Sequence, residues 1–163
     1  MSSAVIETLR SCYVRHRQEL YAYAVSITRD RAAAEDAIHA AFQQLLRRSV
    51  LPEDVRPYVF RSVRNAALDA FRRARTEADH VLASGPATGA VDAVPGERLS
   101  ADEVAAGLRE LTDDEREAVV LRIYSDLTFQ EIADTRGVPL PTAASWYRRG
   151  LEKLKSRLTK ECR

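Results

Sequence analysis

Cysteine is nearly missing from this chain. Cys12 and Cys162 are too few to staple a fold, so reduced thiols and a cytoplasmic location are expected. Long apolar runs are missing too. No stretch approaches the roughly 18–20 residues of a membrane span, and the first residues lack the basic-then-apolar pattern of a secretory signal. No membrane insertion is expected. Histidine is scarce and scattered, at His16, His39 and His80. With no phosphate-binding glycine loop and no visible nucleophile–base pair, an enzyme is the least favoured class and no cofactor is expected. Cys12 and His16 lie one helical turn apart, but a zinc site needs three or four ligands and no third is adjacent, so no metal is expected. Alternating β-branched runs between turn signals are also absent, which argues against strands.

What is present fits soluble helical packing: 45% hydrophobic and 30% charged residues, with only six glycines and six prolines. The net charge of +1 conceals segregation. Residues 1–76 carry 13 Lys/Arg against eight Asp/Glu, residues 77–118 three against 11, and residues 119–163 nine against five. Two basic ends around an acidic middle suggest two anion-facing modules joined by a segment that avoids nucleic acid. Solvated helix faces would give the same counts.

The apolar spacing predicts a first helix from about Ala4 to Thr28, with Leu9, Tyr13, His16, Leu20, Tyr23 and Ile27 as one buried stripe. Asp30-Arg31 breaks it. A second helix, ending near Arg48, turns Ala34, Ile38, Phe42 and Leu45 to one face. After a loop over 49–53, Asp54 is the expected N-cap and Pro57 fits the first turn of a third helix. That helix carries Val59, Val63, Ala67 and Ala70 inward and Arg56, Arg61, Arg64, Asn65, Arg72, Arg73 and Arg75 on its other faces.

Periodicity fails from about Thr76 to Pro95, and residues 84–96 (SGPATGAVDAVPG) read as a flexible linker. Beyond it Ser100 can cap a short helix through Leu108. Thr112 with Glu115, and Thr128 with Glu131, each match a capping box. Val119, Val120, Ile123 and Leu127 are expected in the core, and Gly137 is expected to end the helix 130–136 in a left-handed turn. A final helix from about Pro141 to Leu158 places Ala143, Tyr147, Leu151, Leu154 and Leu158 inward. A short helix, a tight turn and a longer amphipathic helix form a helix-turn-helix, the geometry that sets a second helix into the major groove.

The text of these segments resembles a known family. Leu111, Glu115, Arg116, Leu127, Glu131, Ile132, Ala133, Gly137, Val138, Thr142, Ser145, Arg149 and Leu154 resemble region 4 of bacterial sigma-70-type RNA polymerase sigma factors. Regulators with a LuxR-type helix-turn-helix share much of that pattern. Residues 15–48 and 56–75 look like sigma region 2, in the right order and with no domain between, as in the extracytoplasmic-function (ECF) group. The resemblance implies an all-α fold of two small helical domains: 1–76 (region 2), a flexible acidic linker 77–100, and 101–163 (region 4). It implies core RNA polymerase and promoter DNA as partners, and raises an anti-sigma factor as a further one.

By the same resemblance, Glu35, Asp36, His39 and Phe42 fall on the segment that grips core polymerase. Acids near a helix start also have an electrostatic reason of their own. Arg61, Arg64, Asn65, Asp69, Arg72 and Arg73 fall on the segment that meets the −10 element. Arginines there can hold phosphates and Asn65 an unpaired base edge. Tyr58 and Phe60 are candidate stacking rings; a place in the core is the alternative for both and the favoured one for Phe60. Thr128, Thr142, Ser145, Trp146, Arg148, Arg149 and Lys153 fall on the segment that meets the −35 element.

Two departures stand out. Family members often show Gln-Glu where this chain has His39-Ala40, and Trp where it has Leu46. Family recognition helices commonly begin with Ser and then Asn-Thr-Val-Lys-Ser-Arg. Here Pro139-Leu140-Pro141-Thr142-Ala143-Ala144-Ser145-Trp146 stands instead, without the capping serine or two early cations. Trp146 is expected to point outward. The alternatives to a sigma factor are a stand-alone helix-turn-helix regulator and a helical interaction protein that does not bind DNA.

Overall fold

The computed structural model describes residues 3–80 and 101–161, and the chain divides into two units at Gly89. Every described element is helical. The expected linker and the Ser100 cap lie largely outside the described residues.

The first unit is a bundle of α1 (Ser3–Thr28), α2 (Arg31–Leu46) and α3 (Val55–His80), each packed on the other two. Its core is Leu9, Leu20, Tyr23, Ala34, Leu45, Val59, Phe60, Val63 and Ala67. The α1–α2 corner is short because polar groups close it. The Thr28 hydroxyl donates to Ala24 O and lies 2.9 Å from Asp30 O, Arg29 adopts a left-handed φ of 57°, and the Asp30 carboxylate accepts from Ala33 N–H at 2.7 Å. A non-glycine residue there costs roughly 1 kcal/mol. The Arg29 guanidinium lies 6.0 Å from the Phe71 ring of α3.

Three expectations change in this unit. Tyr13 is exposed and His16 only half-buried, so the α1 stripe is narrower than its spacing implies. Tyr13 stands instead edge-on to Phe42, ring centres 5.3 Å apart. Helix α3 continues to His80, past the expected boundary at residue 76. Its last turns are polar, so apolar periodicity carries no signal for them.

The second unit contains α4 (Ala101–Glu110), α5 (Asp113–Val119), α6 (Phe129–Arg136) and α7 (Leu140–Glu161), with a π-helical turn over Val120–Tyr124. Arg116 knits the α4–α5 corner, donating to Leu108 O at 2.8 Å, Leu111 O at 2.9 Å and Asp113 at 2.8 Å. The π turn overturns one expectation. Ser125 N–H bonds Val120 O, five residues back, and this wider turn slips the apolar phase. Ile123 is 59% exposed instead of joining Val119 in the core. Helix α7 packs close to α5 at Gly150, where a Cβ would meet Val119 Cγ2 at 2.9 Å and the Glu115 carbonyl at 3.2 Å. Of the residues expected inward on α7, Ala143 is buried, while Tyr147, Leu151, Leu154 and Leu158 are half-buried.

Among the described residues no helix is long and apolar enough to cross a membrane.

Candidate nucleic-acid interface

The helix-turn-helix is assembled by local chemistry. Both capping boxes form: the Thr128 hydroxyl accepts from Glu131 N–H at 3.2 Å while Thr128 N–H donates to the Glu131 carboxylate at 2.8 Å, and Thr112 and Glu115 repeat the pattern. Gly137 ends α6 at φ 65°, ψ 40°, a conformation open to residues without a Cβ. The Pro139 carbonyl then accepts from Thr142 N–H at 3.0 Å and Ala143 N–H at 3.2 Å, starting α7 without a serine cap.

The seven residues expected at −35 DNA do not form one face. Thr128 caps α6. On α7 the 3.6-residue period puts Thr142, Trp146, Arg149 and Lys153 along one flank, with Ser145 and Arg148 farther round the helix. Lys153 Nζ lies 2.9 and 2.7 Å from the carboxylate oxygens of buried Glu115, and Arg149 Nε stands 4.0 Å from it. Those two cations share an internal carboxylate. Burial pushes the Glu115 pKa up, but bonds from Lys153 and Thr112 outweigh it and hold the group below its ordinary value.

Trp146 is half-buried rather than outward-pointing. The Arg136 guanidinium lies 4.7 Å from its ring centre. Sequence reasoning missed this arginine. A cation in the last turn of a helix reads as a dipole partner, and nothing local ties it to a ring ten positions on. A second aromatic group lies at the start of α6, where Phe129 meets Tyr147 edge-on at 5.4 Å and takes Arg122 over its face at 5.4 Å.

In the first unit, α3 presents Arg61, Asn65, Asp69, Arg72 and Arg73 exposed, with Arg64 half-buried. Arg61, Asn65, Asp69 and Arg72 recur along one side of the helix. Asp69 sits 3.7 Å from Arg72, and its carbonyl accepts from Arg73 Nε at 3.3 Å. Phe60 is fully buried, its ring centre 5.9 Å from that of Tyr23, so it belongs to the core and offers no stacking surface. Tyr58 is half-buried beneath Arg48, 5.8 Å away.

Between α1 and α2 runs an open groove of about 810 Å³ whose lining includes Tyr13, Tyr21, Glu35, Ile38, His39 and Phe42. Three of the four residues expected at polymerase meet there. Asp36, also exposed, is not part of the lining. His39 Nε2 lies 2.9 Å from Gln43 Nε2.

Residues 12–77 match the Sigma-70 region 2 family, and residues 101–154 match Sigma-70, region 4. The RNA polymerase sigma factor CarQ of Myxococcus xanthus is 30% identical over 159 residues, covering 93% of this chain and 90% of the relative. The ECF RNA polymerase sigma factor SigM of Bacillus subtilis is 27% identical over 156 residues, covering 91% and 94%. The fold is similar to that of the sigma factor RpoE of Bartonella quintana, solved in complex with the anti-sigma factor NepR. That match has a TM-score of 0.73 at 20% identity, over 94% of this chain and 98% of that one.

The chain therefore belongs to the sigma-70 family of RNA polymerase sigma factors. Within the family it is of the ECF type: it binds core RNA polymerase, recognises −35 and −10 promoter DNA and promotes transcription initiation. Sigma factors are initiation factors rather than enzymes.

Proposed function

We propose a division of these tasks among named residues. Glu35, Asp36, His39 and Phe42 dock on core polymerase. The α3 row of Arg61, Asn65, Asp69, Arg72 and Arg73, with Arg64 beside it, holds the opened −10 strand. On α7, Thr142, Ser145, Trp146 and Arg148 contact the −35 element, with Arg149 and Lys153 on the flank and Thr128 at the start of α6.

The observation that carries this reading is the exposed α3 row standing over a core sealed by Phe60. Its cations can contact phosphate while Asn65 offers a donor and an acceptor to an unpaired base. The carboxylate of Asp69 lies 3.7 Å from Arg72 on the same side of the helix. The protein acts in the cytoplasm without a reaction of its own. An anti-sigma factor is its regulatory partner, a reading supported by the complex in which the structurally similar sigma factor RpoE was solved.

Reconstitution with core polymerase on a randomised promoter library, reading initiated transcripts, tests the assignment. Enriched −35 and −10 elements are expected. Absence of both stable core association and promoter-dependent initiation would overturn it.

A further inference from the structure

The geometry points to Arg136 as a positioning residue that holds Trp146 on the recognition helix in the orientation used for −35 DNA. This rests on the reading that α7 meets that element.

Arg136 comes from the last turn of α6, and its side chain is only 6% exposed. Two carboxylates of α5 compensate its charge: Asp114 accepts from Nη2 at 2.5 Å, and Glu117, itself buried, stands 3.5 Å from Nη1. Its Nε and Nη1 make no hydrogen bond among the described residues. The guanidinium instead meets the face of Trp146 at 4.7 Å. Three helices are joined by this one side chain: α5 through the carboxylates, α6 through its backbone, α7 through the ring.

The position of the ring gives the contact its consequence. Trp146 lies one turn beyond Thr142, on the flank shared with Arg149 and Lys153. Ala143 and Ala144 stand where the family pattern has a valine and a lysine. The early part of α7 therefore brings an indole rather than a cation, and an indole discriminates by shape and apolar contact only when its orientation is set. A guanidinium held by two carboxylates lies 4.7 Å over one face of the ring and leaves it little freedom. Lysine is a poorer substitute, because its compact ammonium cannot reach both carboxylates and the indole face at once as the broader guanidinium does.

Trp146 is the chain's single tryptophan, so its emission reports this contact directly. The test uses the full-length chain as wild type, Arg136→Lys, Trp146→Ala, Trp146→Phe and the Arg136→Lys/Trp146→Ala double variant. Emission and iodide quenching are read on the free protein. Holoenzyme initiation is read on a template selected from the randomised library and on the same template with its −35 element scrambled.

Arg136→Lys is expected to keep helical content and core association, to shift Trp146 emission to the red and to raise quenching. It should lower −35-dependent initiation roughly tenfold, the scale of a desolvated cation–π contact. Trp146→Phe should retain most activity. The double variant should be no weaker than Trp146→Ala, as coupled residues require. Unchanged emission in Arg136→Lys, additive losses in the double variant, or equal loss on both templates would each overturn the assignment, as would a melted Arg136→Lys chain, which marks a purely structural arginine. If the wild type initiates on no template, the functional reading fails and the DNA role of Arg136 with it. The emission shift still decides separately whether Arg136 holds the ring.

Discussion

Lys153 on α7 bridges both carboxylate oxygens of Glu115, the buried capping residue of α5, at 2.9 and 2.7 Å. One acidic side chain therefore starts one helix and anchors another. Gly150, on the intervening turn of α7, admits that approach by lacking a Cβ. Glu115→Ala removes the cap and leaves Lys153 without its partner. A loss of roughly 3 kcal/mol is expected, measured as a lower melting temperature by Trp146 fluorescence. Lys153→Ala should cost less, because half of that side chain is in water.

The same carboxylate sets an acid limit. Its folded pKa lies below its unfolded one, so its stabilisation is complete above the ordinary carboxylate range and is lost as pH falls through the depressed value. Glu115→Gln should flatten the acid limb of the Trp146-detected stability curve. An unaltered limb would show that other groups set it.

His16 makes the first unit respond earlier. Burial, reinforced by Arg56, lowers its pKa from 6.5, against an opposing pull from Glu19. The unfolded chain takes up that proton first, so stability falls as pH drops below 6.5 and levels off below the folded value. His16→Gln should remove that portion of the pH dependence in melts followed by far-ultraviolet circular dichroism.

Phe60 and Asn65 separate core from surface on one helix. Phe60→Ala empties a fully buried site against Tyr23 and should cost about 3–5 kcal/mol, with core association and DNA contact failing together as the bundle melts. Asn65→Ala should leave the melting temperature in place and lower −10-dependent opening roughly tenfold. Equal loss of core affinity would remove Asn65 from the −10 role.

The groove and the α3 row should separate by salt and partner. Phe42→Ala is expected to weaken core association by about 2 kcal/mol, the scale of a buried aromatic anchor. Arg61→Ala should reduce the slope of log affinity against log salt on single-stranded −10 DNA by about 0.7. A slope equal to wild type would place Arg61 away from phosphate.

By itself the amino-acid sequence determined the helical class, the two capping boxes, the left-handed turn at Gly137 and the order of two basic modules. Each of these is written within a few consecutive residues, because a cap spans three positions and a helix repeats every 3.6. Tertiary structure decided the rest. Phe60 was already the ring expected in the core, and packing against Tyr23 seals it there, whereas the fold alone leaves Tyr58 half-buried beneath Arg48. Ile123 left the core because a π turn slipped the phase that a strict α period predicts. Glu115 meets Lys153 across 38 positions, and Arg136 meets Trp146 across the turn between α6 and α7. Those partnerships depend on how α5, α6 and α7 cross. No local spacing encodes that crossing, and it decides which basic residues of α7 are engaged inside the fold.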